Sequence, residues 1–196
     1  MKTKCHVIVP CAGQMSKLKN RMNGDMNLKE VITTIPDFPV EGVMYKDVTS
    51  ILQDPKAFRY SVERLTQYCM SQDITDIVAP DARGFLWGAP VALGLGVPLH
   101  MVRKPGKLPP PRRSQSYDYE YASGVLQIKA DVNLNSNSNV CIIDDVNATG
   151  GTALAITELL KTFGVEDMCY ASVIDLAFLG GSSKLDMDTF SVVTYE

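Results

Sequence analysis

No stretch of this sequence is apolar for long enough to cross a bilayer, so a membrane-spanning helix is excluded and no membrane partner is expected. Positive charge is not in excess either. With 19 Lys and Arg against 22 Asp and Glu, the chain carries a net charge of −3. That balance argues against a nucleic-acid-binding surface as the main business of the chain, and no nucleic-acid partner is expected. Its five cysteines are odd in number and scattered, which implies no disulfide framework and points to a reducing, cytoplasmic setting. Cys5, His6 and Cys11 lie close together, but no second ligand cluster accompanies them, so a structural metal site is not expected there. There is no internal repeat. What is present is an ordinary apolar fraction, 45% of 196 residues, enough for one domain with an ample core.

The most informative stretch is Val140-Cys141-Ile142-Ile143-Asp144-Asp145-Val146-Asn147-Ala148-Thr149-Gly150-Gly151-Thr152. Its apolar, largely β-branched start reads as a buried parallel strand. Asp144 and Asp145 stand at the carboxyl end of that strand, and a Gly-rich turn leads into a run with helical spacing. Such an arrangement makes an anion site at the carboxyl edge of an α/β sheet. Gly150 and Gly151 let backbone amides approach a phosphate, Thr149 and Thr152 add hydroxyl donors, and the helix adds its positive end. The two carboxylates would repel phosphate. They suit the vicinal hydroxyls of a ribose, directly or through a divalent cation. Phosphate on the loop and diol on the carboxylates describe a ribose 5-phosphate site.

Other segments repeat the theme. Residues 1–24 imitate a signal peptide only faintly, because their apolar core is short and broken by His6 and Pro10; a flexible extension is expected. Asn27 with Glu30 forms a capping-box pattern, and Leu28, Val31, Ile32 and Ile35 predict a helix that Pro36 stops. Pro and Gly mark residues 38–49 as an irregular loop. From spacing alone, Tyr45 in that loop could stack on a flat ligand or simply pack. Asp54-Pro55 opens a helix whose apolar face holds Phe58, Val62, Leu65 and Cys69. Residues 74–79 read as a buried strand leading into Asp81-Ala82-Arg83-Gly84, again a strand, a polar turn and a helix start. A further strand, residues 97–102, precedes the one concentrated basic run, Arg103-Lys104-Pro105-Gly106-Lys107 through Arg112-Arg113. That run is either a solvated loop or charge compensation for a polyanionic ligand. Residues 110–124 show no helical period and read as a long loop. Strands are expected at 125–128, 169–174 and 190–194, with a helix after the Gly-rich turn carrying Leu154, Ile156, Leu159, Leu160 and Phe163 and capped near Gly164.

The Asp-Asp-x-x-Ala-Thr-Gly-Gly-Thr segment resembles the phosphoribosyl-pyrophosphate (PRPP) signature of type I phosphoribosyltransferases, with Asn147 where an apolar residue is usual. The remaining segments resemble the adenine phosphoribosyltransferases over about residues 27–196. Phe38-Pro39 through Thr49 is similar to that family's hood over the base, which implies contacts to adenine from Met44 through its backbone, from stacked Tyr45 and from Lys46. Lys46 replaces the usual Arg and loses the planar fork of donors. Asp81-Ala82-Arg83-Gly84-Phe85 resembles the pyrophosphate loop, implying that Ala82, Arg83 and Gly84 hold pyrophosphate, with a strained Ala82–Arg83 peptide of candidate cis form. Arg103 and Lys107 match a motif that reaches pyrophosphate, one of them across a dimer interface. Ser116-Tyr117-Asp118-Tyr119-Glu120-Tyr121-Ala122 is similar to the mobile catalytic loop, here about residues 108–124. Its Glu120 would handle the proton on the base, and Ala122 stands where the family has Gly.

The resemblance thus implies an α/β fold of the type I phosphoribosyltransferase kind. It has a twisted, mainly parallel sheet with helices on both faces, and a small N-terminal hood over about residues 27–49. A single domain over residues 25–196 follows the extension. The implied reaction is adenine + PRPP to AMP + pyrophosphate, catalysed by Glu120 and Arg83. Phosphate and ribose would sit on Asp144, Asp145, Ala148, Thr149, Gly150, Gly151 and Thr152. Mg²⁺ would come mainly with PRPP, with Asp144 and Asp145 as candidate ligands, and a homodimer is expected. Alternatives are a 6-oxopurine (hypoxanthine, guanine or xanthine) phosphoribosyltransferase and a catalytically weak PRPP- or nucleotide-binding regulator.

Overall fold

The computed structural model describes residues 26–118 and 123–196. Residues 1–24, Glu120 and Ala122 lie outside them. Five parallel strands form the central sheet in the order β4-β3-β7-β8-β9: β3 is Asp76–Pro80, β4 Leu99–Val102, β7 Asn139–Asn147, β8 Asp167–Leu176 and β9 Asp188–Tyr195. Residues alternate between the faces of β7. Cys141 and Ile143 join a core with helices α2 (Pro55–Ser71) and α3 (Gly84–Leu95). Val140 and Ile142 join a second core under helix α4 (Gly151–Lys161). The fully buried Leu65 and Ile156 anchor opposite faces, and each such side chain contributes about 1.5–3 kcal/mol. The expected doubly covered parallel sheet is present.

Local chemistry accounts for the helix starts. Asp54 caps α2 by accepting from Lys56 N and Ala57 N, with Pro55 in the first turn. The buried Trp87 of α3 donates its indole N–H to Ser61 of α2 at 2.8 Å, so its polar atom is satisfied inside the core. Cys69, Cys141 and Cys169 are free thiols buried in the same core.

Two segments differ from the sequence expectation. Asn27 does cap, and its side chain bonds Glu30, but the helical turn is a 3₁₀ turn limited to Leu28–Glu30. The chain then extends as β1 (Thr33–Ile35), antiparallel to β2 (Tyr45–Asp47). The β-branched Thr33-Thr34-Ile35 run favours the extended form once β2 offers a ladder to pair with. A short helix, α1 (Thr49–Gln53), follows β2. Residues 110–124 are likewise not simply an irregular loop. Strands β5 (Arg112–Asp118) and β6 (Ser123–Lys129) pair antiparallel in register from Arg112↔Lys129 to Asp118↔Ser123. Leu126 and Ile128 pin this ribbon onto the α4 core.

Candidate active site

The carboxyl end of β7 carries the site. Asp144 and Asp145 are both buried there. The Asp145 N–H donates to Asp144 Oδ1 at 2.8 Å. Burial and the neighbouring Asp145 carboxylate push the Asp144 pKa well above the usual carboxylate range, although the Asp145 backbone N–H and Arg83 oppose this. Beyond the pair, the chain turns through Ala148 and Thr149 into Gly150, whose φ of +80° caps α4. A cavity of about 180 Å³ opens here, lined by Asp144, the run from Val146 to Ala153, and Tyr170. The predicted phosphate and ribose residues are therefore brought together, with the sole exception that Asp145 does not line this cavity but faces Arg83.

The Gly-rich loop is packed against a second turn. A Cβ on Gly150 would lie 2.7 Å from Gly181 O, and one on Gly181 would lie 2.3 Å from Ala148 O. Neither position has room for a side chain. Lys184, in the 3₁₀ turn Ser182–Lys184, donates to Thr149 O at 3.1 Å. Asn147 Nδ2 donates to Asp175 Oδ1 at 2.9 Å and to Ser182 Oγ at 2.8 Å. Sequence reading missed Asp175, Gly181, Ser182 and Lys184. The Gly180-Gly181 pair just past a buried strand was the available signal.

The pyrophosphate-loop candidates lie at the adjacent strand end, between β3 and α3. Arg83 Nε lies 2.6 Å from Asp145 Oδ2, a charge contact whose N–H is not aimed as a hydrogen bond. Arg83 Nη1 donates to the Tyr45 hydroxyl at 2.6 Å. Burial lowers the Arg83 pKa, but Asp145, Tyr45 and Asp144 outweigh it and raise the pKa overall. Among the described residues the non-proline cis peptide is Asp81–Ala82, one bond before the expected Ala82–Arg83. Arg103 donates to Asp81 Oδ2 at 3.0 Å and lies over the Phe85 ring. Lys107 is exposed.

In the hood, Tyr45 is half-buried and meets the Phe38 ring edge-on at 5.1 Å. Met44 is 56% exposed. The Lys46 Nζ donates to Thr34 Oγ1 at 2.9 Å and lies 4.4 Å from the centre of the Tyr195 ring.

Comparison with known proteins agrees with this geometry. The phosphoribosyl transferase domain family matches residues 47–194. An adenine phosphoribosyltransferase of Colwellia psychrerythraea is 45% identical over 172 residues, 86% of this chain and 94% of that protein. One from Yersinia enterocolitica is 46% identical over 159 residues, 81% of this chain and 84% of that protein. The crystal structure of the Thermoanaerobacter pseudethanolicus adenine phosphoribosyltransferase superposes with a TM-score of 0.81 at 43% identity, covering 86% of this chain and 98% of that one. The Saccharomyces cerevisiae enzyme, solved with an imino-altritol bisphosphate and adenine, gives 0.79 at 36% identity over 84% and 96% of the two chains. At these identities and coverages, and with the fold and the Asp-Asp-x-x-Ala-Thr-Gly-Gly-Thr loop in place, the chain belongs to the adenine phosphoribosyltransferases.

Proposed function

We propose that this chain transfers the 5-phosphoribosyl group of PRPP to N9 of adenine, giving AMP and pyrophosphate. The carrying observation is the joining, at one sheet edge, of an anion-receiving loop (Ala148–Thr152) to two buried carboxylates suited to a diol. Family membership selects adenine as the base.

The 5′-phosphate sits on the amides of Ala148, Thr149, Gly150, Gly151 and Thr152 at the start of α4, and the ribose hydroxyls on Asp144 and Asp145. Arg83, with the Ala82 and Gly84 backbone, takes the pyrophosphate, aided by Arg103 and Lys107. As the C1′–O bond breaks, its electron pair leaves with pyrophosphate and C1′ becomes oxocarbenium-like. The cationic groups stabilise that leaving charge, the larger electrostatic contribution. Adenine N9 then attacks C1′ and loses its proton to Glu120, which also favours the ribosyl cation. The Tyr45 ring, held by Arg83 and Phe38, stacks on the base. Met44 and Lys46 contact it through their backbones, because the Lys46 ammonium is engaged elsewhere.

No group of His, Cys, Asp and Glu among the described residues could by itself hold a metal ion. Two adjacent carboxylates do fit as a partial oxygen set for a hard cation that arrives with substrate oxygens. Asp144 and Asp145 would hold Mg²⁺ in this way, and its charge would help to neutralise the pyrophosphate.

The acting unit is a single domain over residues 25–196, placed in the cytoplasm, and it works as a homodimer. The dimer reading is supported by Leu86 and Leu93 of α3 and Met101 of β4, apolar side chains 42%, 67% and 44% exposed near the sheet edge. The test of base choice is a one-pot competition of adenine, hypoxanthine, guanine and xanthine for limiting PRPP. AMP as the dominant product supports the reading, and IMP, GMP or XMP as the main product refutes it.

A further inference from the structure

Asn147 occupies the position where the apolar residue of the PRPP signature is usual, yet it is 2% exposed. A buried amide costs free energy unless its hydrogen bonds are met. Here both donors of Nδ2 are used, one on the buried Asp175 carboxylate at 2.9 Å and one on Ser182 Oγ at 2.8 Å. Asn147 and Asp175 are also register partners on the parallel strands β7 and β8, so their side chains leave the sheet side by side. The chain from Asp175 to Lys184 then folds back onto the phosphate loop. Gly181 abuts Ala148 and Gly150, and Lys184 holds Thr149 O. Asn147 lines the phosphate cavity and is the next residue before Ala148.

We propose that Asn147 is a positioning residue for PRPP: by bonding Asp175 and Ser182 together it locks the 175–184 turn against residues 148–152 and so sets the amides that receive the 5′-phosphate. An apolar residue here would fill the space, but it would leave the Asp175 carboxylate short of a donor and the turn untied from the loop. A carboxylate here would face Asp175 directly and push the two strand ends apart. Exchanging the two residues restores the pair with the donor and acceptor reversed, because an amide at 175 can donate to a carboxylate at 147 and the Ser182 hydroxyl can rotate to donate as well.

This inference rests on the PRPP reading of the site, so its test includes a readout independent of turnover. Kinetics with varied PRPP and varied adenine are compared for wild type, Asn147→Leu, Asn147→Asp, Asp175→Asn and the Asn147→Asp/Asp175→Asn exchange. Calorimetric binding of ribose 5-phosphate is measured alongside. Asn147→Leu and Asn147→Asp are expected to raise the KM for PRPP and the Kd for ribose 5-phosphate about tenfold, the equivalent of one hydrogen bond to a charged acceptor. The KM for adenine should stay within about twofold of wild type, since the hood residues proposed to contact the base do not line this cavity. The exchange variant should recover most of the loss, whereas Asp175→Asn alone, which keeps an acceptor oxygen for Asn147, should be mild. An unchanged ribose 5-phosphate Kd in a folded Asn147→Leu protein would overturn the inference. So would an exchange variant no better than Asn147→Asp alone, or equal losses toward PRPP and adenine. If the wild type binds ribose 5-phosphate but forms no AMP, the reaction assignment fails while the binding comparison still decides the role of Asn147.

Discussion

Arg83 Nε stands 2.6 Å from Asp145 Oδ2, so the cation assigned to pyrophosphate is held by a carboxylate assigned to ribose. The Tyr45 hydroxyl accepts from the same guanidinium, tying the hood to this pair. On the proposed assignment PRPP takes Arg83 and Asp145 for its own groups, one at each end of the bond that breaks. Arg83→Lys keeps a charge but loses the planar fork that can serve two partners. It should lower kcat/KM for PRPP by about 10²–10³-fold, the usual effect of removing a donor that stabilises developing charge. Initial rates at varied PRPP check this; a change within about threefold would remove Arg83 from the reaction.

Asp144 makes a stability prediction with a definite sign. Its pKa in the folded chain is raised by burial and by Asp145, above the ordinary value of about 3.9. Between those two values the folded state holds a proton that the unfolded state has released, so stability falls as pH rises through the window. Asp144→Asn removes that penalty. The ligand-free variant should melt higher than wild type at pH 7, with the gain vanishing near pH 3, while its KM for PRPP rises about tenfold or more from loss of a charged acceptor. Melting curves at both pH values, paired with kinetics, decide it. A lower melting point at pH 7 would contradict the electrostatic account.

Gly181 gives a steric prediction. A Cβ there would approach Ala148 O to 2.3 Å, a contact only backbone movement can relieve. Gly181→Ala should lose about 1–3 kcal/mol of stability, as overpacked sites do, and should weaken PRPP binding more than adenine binding because the displaced backbone is the phosphate loop. Urea titration and the two KM values measure this. An unaffected loop would show as a wild-type KM for PRPP.

Glu120, assigned to proton transfer through its family resemblance, should show its effect in turnover. Glu120→Gln keeps the size and removes the base, so kcat should drop about 10²–10⁴-fold with AMP affinity nearly unchanged. Rapid-quench rates and AMP calorimetry separate the two effects. Wild-type kcat would refute the role.

The strand, acid pair and Gly-rich turn of residues 140–152 were readable in sequence because each part has a local physical cause: burial on both faces, two carboxylates at a strand end, a close backbone approach. The irregular course of residues 38–44 was readable from their Pro and Gly, but the strand pairing that flanks them was not. Leu28, Val31, Ile32 and Ile35 have helical spacing, yet the Thr33–Ile35 backbone pairs with Tyr45–Asp47, a partner chosen by tertiary structure. The β5–β6 ribbon was hidden because Arg112–Asp118 is largely polar, with no apolar alternation to announce a strand. The destination of Lys46 depends on Tyr195, at the far end of the chain. Asn147 stood out as a departure from the signature, but its partner Asp175 is set by the pairing of β7 with β8 and its partner Ser182 by the turn that follows β8, and no local pattern reveals either.

The most direct measurement is product formation by the purified chain from adenine, PRPP and Mg²⁺, with AMP and pyrophosphate quantified over time. Equal amounts of AMP and pyrophosphate, growing at the same rate and requiring adenine, are the predicted result. Pyrophosphate release without AMP, or no product while PRPP still binds, would contradict phosphoribosyl transfer as the function of this site.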